Sequence, residues 1–198
     1  MKRTIIMTIV FVGCLQTALA QNTIESIRKA YQEQKEAIAQ MNDEFPGEGT
    51  PPVYYHLHVS QNLPGTGMHH ENVHMYYGEL SSEDEEEYDP FPPHYLSFVT
   101  SKYNFAAREY YEEYLYDDKG QVMFIYAYTP NEDLSKILEF RLYFDGQRLL
   151  RLNVKADEAD VYTGTTIPEA YSGYCSLYTD WASRHLDLFK AVDNNTHL

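Results

Sequence analysis

The sequence predicts an α+β domain: a curved antiparallel meander of about seven strands packed against an N-terminal and a C-terminal helix. Three observations carry that expectation. Apolar residues recur every three or four positions in 22–41 and 168–192, they recur every second position between those segments, and one aromatic-rich pattern is written twice, EYLYDDKGQVMFIYAY at 113–128 and EFRLYFDGQRLLRLNV at 139–154.

The chain opens on an address. Lys2 and Arg3 precede an apolar run, 4–12, and the small-residue ending Ala18-Leu19-Ala20, the pattern of a secretory signal peptide cleaved before Gln21. The expected organisation is a signal peptide at 1–20 and a single α+β domain at 21–198. The apolar run falls short of the ~20 residues a membrane span needs, so no transmembrane segment is expected. Export to the periplasm or the extracellular space follows. An alternative lies in Phe11-Val12-Gly13-Cys14, an imperfect lipoprotein box that would place a lipid on Cys14.

The leader carries two cations and no anions, so its removal takes the formal charge of −15 to −17. Such a surface repels phosphate backbones, and with no basic stripe anywhere a nucleic-acid partner is excluded. Cys175 is then the one remaining cysteine, and a core of this size needs no disulfide.

The first helix, 22–41, has Ile24, Ile27, Tyr31, Ile38 and Met41 on one stripe, with Asn22 and Glu25 as its expected capping box. Pro46, Gly47, Gly49, Pro51 and Pro52 end it. From Val53 the period becomes two, with Val53, Tyr55, Leu57 and Val59 on one face and Tyr54, His56, His58 and Ser60 on the other. QNLPGTGM at 61–68 reads as a hairpin loop, and the return strand, 70–79, turns Val73, Met75 and Tyr77 inward and His74 and Tyr76 outward. The stretch 81–93, SSEDEEEYDPFPP, is too charged and proline-rich to pair and is expected as an exposed acidic loop.

Further strands are expected at 94–103, 107–117, 121–129, 137–144 and 148–155. Strand 121–129 is apolar on both faces, Val122, Phe124, Tyr126 and Tyr128 on one and Met123, Ile125 and Ala127 on the other, which predicts a central position with both sides covered. In the second copy Leu138, Phe140, Leu142 and Phe144 must share a core with Leu150, Leu152 and Val154. That parity excludes a plain Asp145-Gly146 turn and predicts a longer Asp145-Gly146-Gln147 turn with a bulge and a left-handed glycine. The last helix, 168–192, carries Tyr171, Tyr174, Tyr178, Trp181, His185, Leu188 and Val192 on one stripe behind Pro168. The stretch 109–154 resembles the Y-x-x-D-x-G-x-L type hairpins of uncharacterised exported proteins; the resemblance brings no catalytic residues with it.

Candidate chemistry is sparse. Five of the eight histidines lie between 56 and 74, and an H-x-H on a strand puts His56 and His58 on one face, with His74 opposite His56. Three neutral imidazoles with an open position suit zinc or copper, although no familiar zinc motif is present. The run Glu83–Glu87 with Asp89 offers oxygens to calcium but lacks the glycine-punctuated alternation of an EF-hand loop. Glu109, Glu112 and Glu113 among tyrosines resemble the carboxylates and stacking platforms of glycan-processing enzymes, where carboxylate separation decides the chemistry. Cys175 and His185 fall on one helix about 15 Å apart along its axis, which rules out a dyad. No nucleophile elbow, phosphate-cradling loop or dinucleotide fingerprint occurs.

All 19 tyrosines follow the leader. Tyrosine joins apolar area to a hydroxyl at little rotamer cost, so Tyr110, Tyr114, Tyr116, Tyr126 and Tyr128 are the candidate ligand-binding residues, with cross-strand packing as their competing role. The expected function is a non-enzymatic binding domain for a protein, peptide or glycan, using a concave tyrosine face left open by the helices. The alternative is a metal-binding protein or metal-dependent enzyme built on His56, His58 and His74.

Overall fold

The computed structural model describes residues 22–41, 53–80, 92–130 and 136–195. The expected signal peptide, Cys14, the helix-ending Pro46–Pro52 stretch and the acidic run with Glu83–Glu87 and Asp89 lie outside the described residues. In the rest, α1 (Ile24–Met41) precedes β1 (Val53–Leu63), β2 (Gly67–Glu79), β3 (His94–Phe105), β4 (Arg108–Tyr116), β5 (Val122–Pro130), β6 (Ile137–Asp145), β7 (Arg148–Ala156) and β8 (Ala159–Gly164), and α2 (Glu169–Asp193) follows. The strands form one open antiparallel sheet in sequence order. Neither described helix is long and apolar enough to cross a membrane.

The two helices lie on opposite faces, and strand parity shows why. Phe98, Leu115, Phe124 and Tyr143 pack with Ile27 of α1, while their chain neighbours Val99, Tyr114, Ile125 and Leu142 belong to the larger core that Cys175, Tyr178, Ala182 and Phe189 of α2 complete. Successive residues of a strand project to opposite sides, so these adjacent pairs divide the sheet into an α1 face and an α2 face. The expectation that strand 121–129 is central and doubly covered is met, because β5 lies inside the sheet and feeds both clusters.

Each helix departs in detail from its expected pattern. The α1 cap is shifted by one residue from Asn22 and Glu25: Ser26 N donates to Thr23 Oγ1 at 3.1 Å and Thr23 N donates to Ser26 Oγ at 3.0 Å. A serine at the third helical position thus does what a glutamate does in the usual box. On α2, Leu188 is exposed and Phe189 is buried, so the buried stripe ends on Phe189 where Leu188 was expected. Cys175 and His185 are both core residues, as expected.

The strands differ from expectation by local slips. A bulge between Leu115 and Tyr116 pairs Leu115 with Phe124 but Tyr116 with Val122. Val122 therefore joins Tyr116 under α2 and Met123 joins the α1 cluster, against the simple alternation. In the second hairpin Phe140 pairs with Val154 and Leu142 with Leu152, the expected even-to-even parity, but Phe144 pairs with Leu149, so Leu149 joins the α2 core and Leu150, expected there, packs on the α1 face. Left-handed Gly146 (φ +58°) and a bulge between Tyr143 and Phe144 produce it, the loop itself being Gly146-Gln147 between paired Asp145 and Arg148. The eighth strand was not expected; β8 returns from β7 through Asp157 and Glu158, both at positive φ, 48° and 73°. Tyr76, placed outward by the sequence pattern, is buried because α1 covers that face, whereas Val53 and Val59 of edge strand β1 stay exposed at 50% and 42%.

Candidate functional site

Strand β4 places Glu112 and Glu113 side by side in sequence, and the pleat sends them to opposite faces. Both are buried, each at 2% exposure, and each is held by tyrosine hydroxyls. On the α2 face Tyr103 Oη donates to Glu112 Oε1 at 2.8 Å and Tyr114 donates to Glu112 Oε2. On the α1 face Glu113 accepts from Tyr111 at 2.6 Å, from Tyr31 and from Lys35 Nζ at 2.5 Å. The carboxylate pair suggested by the sequence is therefore split by the sheet, and Glu109 is exposed, 3.5 Å from Lys102.

Glu112 forms the floor of a cleft of about 420 Å³ where α2 crosses the ends of β3 and β4. Its walls are Tyr103, Tyr110, Trp181 and His185, and Phe105 and Leu177, both close to half exposed, form an apolar lip. Tyr103 and Tyr110 stack at 4.9 Å with rings 5° from parallel. A second hollow of about 370 Å³ opens on the other side of that stack, against Tyr174, Gly173 and Pro130. The two hollows alongside α2 thus share Tyr103, Tyr110 and Leu177 in their lining, and the first gathers Glu112, Glu71, Ser101 and His69 as its polar groups.

The polar floor is chemically distinctive. Burial raises the pKa of Glu112, opposed by the Tyr114 and Tyr103 hydrogen bonds, and nearby Glu71 raises it further. Glu71 itself accepts from Ser101 Oγ at 3.2 Å and lies 3.8 Å from His69 Nε2. His69 Nδ1 sits 2.6 Å from the Asn104 carbonyl and so carries a proton. His185 is 3% exposed, packed 4.9 Å from the Tyr114 ring and 5.9 Å from Trp181, and burial pushes its pKa down to about 4. Its Nε2 is buried with no hydrogen-bond partner among the described residues. Native folds rarely leave such an atom unpaired, because a buried polar group without a partner costs ~1–3 kcal/mol.

The five candidate tyrosines do not form one platform. Tyr114 and Tyr116 are buried under α2, Tyr116 donating to the Ala182 carbonyl at 2.8 Å, and Tyr110 lines the cleft. Tyr126 and Tyr128 point to the opposite, α1 face, since Tyr126 pairs with Glu113 and Tyr128 with Tyr111. Among the described residues the five candidate tyrosines are divided between the two faces, and clefts open at the flanks of the helices.

The histidines keep their expected strand positions, with His56 Nε2 and His58 Nδ1 both turned to Asn72 Oδ1, at 3.3 and 2.9 Å, and His74 stacked on His56. His56 pairs with His74, and the rings stack at 4.2 Å and 7°. His58 also turns to Ser60 Oγ at 2.9 Å, and Ser60 continues to His70 Nδ1 at 3.0 Å. Among the described residues no group of three or more His, Cys, Asp or Glu side chains is arranged to hold a metal ion. Flat stacking aims imidazole nitrogens past one another, whereas a zinc or copper site needs them aimed at one point. Sequence reasoning found His185 and Trp181 only as core residues and missed the cleft, because a helix stripe gives no sign of where the helix overhangs its sheet. Comparisons with protein-family models, with curated proteins and with solved structures give no match.

Proposed function

We propose that this protein is an exported, non-enzymatic binding domain whose α2 cleft holds a small amphipathic ligand, with its apolar body between Trp181 and Tyr110 and a hydrogen-bonding group at the floor. The observation that carries this reading is the unpartnered Nε2 of His185 in the wall of an aromatic cleft whose floor is Glu112. Concave, mostly apolar sites with a few convergent polar groups are where small molecules bind. Support for a non-catalytic role comes from the remaining nucleophile, since burial pushes the Cys175 thiol up to about 11 and holds it as an inert core group. Export rests on the leader-like residues 1–20.

Trp181 is the sole tryptophan of the sequence, so its emission reports on this cleft alone. Titration with the neutral dye N-phenylnaphthylamine is expected to quench Trp181 saturably by energy transfer, and Leu177→Glu on the exposed lip is expected to weaken binding about tenfold. Quenching that never saturates, or that is unchanged in Leu177→Glu, would refute the proposal.

A further inference from the structure

The α1 face has its own cavity, of about 470 Å³, and its chemistry is the reverse of the α2 cleft. Arg28 of α1 lies over the Tyr143 ring at 5.6 Å, and Arg141 of β6 lies over the Tyr126 ring at 5.2 Å. Both arginines line the cavity, together with apolar Ile27 and Phe124 and with polar Tyr31, Gln32 and Glu113. Arg141 and Tyr143 project to one side of β6 and Arg28 lies above the latter, so the two arginines border one gap.

The charges already present do not fill that gap. Glu113 is engaged by Lys35 and two tyrosines, and Arg141 gives one Nη to Glu139 at 3.0 Å. Arg28 donates Nε to the Tyr143 hydroxyl at 3.5 Å and has no carboxylate partner among the described residues. Stacking on a tyrosine ring holds a guanidinium flat and leaves its edge donors free for a planar oxyanion. In a chain of formal charge −15, a cavity rimmed by two arginines runs against the overall electrostatic trend.

From this geometry we propose that the α1 cavity is a second binding site, for a small flat carboxylate whose anionic end bridges Arg28 and Arg141 and whose apolar body rests on Phe124 and Ile27. The site is independent of the α2 cleft. Bidentate guanidinium contacts select a planar two-oxygen anion, and apolar Ile27 and Phe124 select a ring over a bare ion.

Nitrogen-15 NMR of the arginine Nε–H groups tests it, with benzoate as probe and inorganic phosphate as the comparison. Benzoate is expected to move the Arg28 and Arg141 signals saturably while Trp181 emission stays constant, and to bind about tenfold more tightly than phosphate. Arg28→Gln, a change at an exposed helix position that leaves the core untouched, is expected to weaken benzoate about tenfold. Non-saturating shifts, or full affinity in Arg28→Gln, would overturn the site; phosphate binding as tight as benzoate would overturn the carboxylate-and-ring specificity.

Discussion

At the residue scale the informative side chains are the buried ionisable ones. His185 has a folded pKa near 4 against an ordinary imidazole value of 6.5, with burial as the cause. The unfolded chain then binds the proton more readily than the folded one, so stability present above pH 6.5 is lost progressively down to about pH 4. The loss from this one group is about 2 kcal/mol at pH 5. His185→Phe is therefore expected to flatten the acid side of a urea-denaturation pH profile; an unchanged slope would show that His185 titrates normally. Glu112 works in the opposite sense: its pKa is raised by burial, so its contribution is complete below the ordinary carboxylate range and declines as pH rises through the raised value. Glu112→Gln is expected to remove that decline while keeping the acceptor for Tyr103 or Tyr114.

At the scale of elements, periodicity made both helices and seven strands legible, and the parity of Leu138, Phe140, Leu142, Leu152 and Val154 revealed the bulged second hairpin. What it left hidden were features that depend on backbone conformation without a glycine signal. The β7–β8 turn uses Asp157 and Glu158 at positive φ, a conformation that costs a non-glycine residue about 1 kcal/mol and that sequence patterns attribute to Asn-Gly or Asp-Gly. Glu158→Gly is accordingly expected to stabilise the protein by about 0.5–1 kcal/mol, read as a raised urea midpoint. Thr23→Ala removes the acceptor for Ser26 N and is expected to cost about 1 kcal/mol, provided α1 packing contributes to global stability as the burial of Ile27 implies. The bulge between Leu115 and Tyr116 was equally silent in the sequence, and it is the reason Val122 and Met123 exchange faces.

At the scale of the whole molecule, the sheet is a partition. One strand, β4, carries two adjacent glutamates to two separate polar clusters, Tyr103 and Tyr114 on one side and Tyr31, Tyr111 and Lys35 on the other. The sequence displayed the tyrosines and the carboxylates together, but only the pairing register separates them by face. On β1 and β2, His56, His58 and His70 are exposed and His74 is half-buried, and burial and the neighbouring His56 lower the pKa of His74. That adds to the acid-side loss from His185. The most direct test of the account is a nitrogen-15 NMR titration of the histidine rings with and without N-phenylnaphthylamine. The account predicts that His185 stays neutral down to about pH 4 and that its ring signals move when the dye binds. A His185 that protonates near 6.5, or whose signals ignore a bound dye, would contradict it.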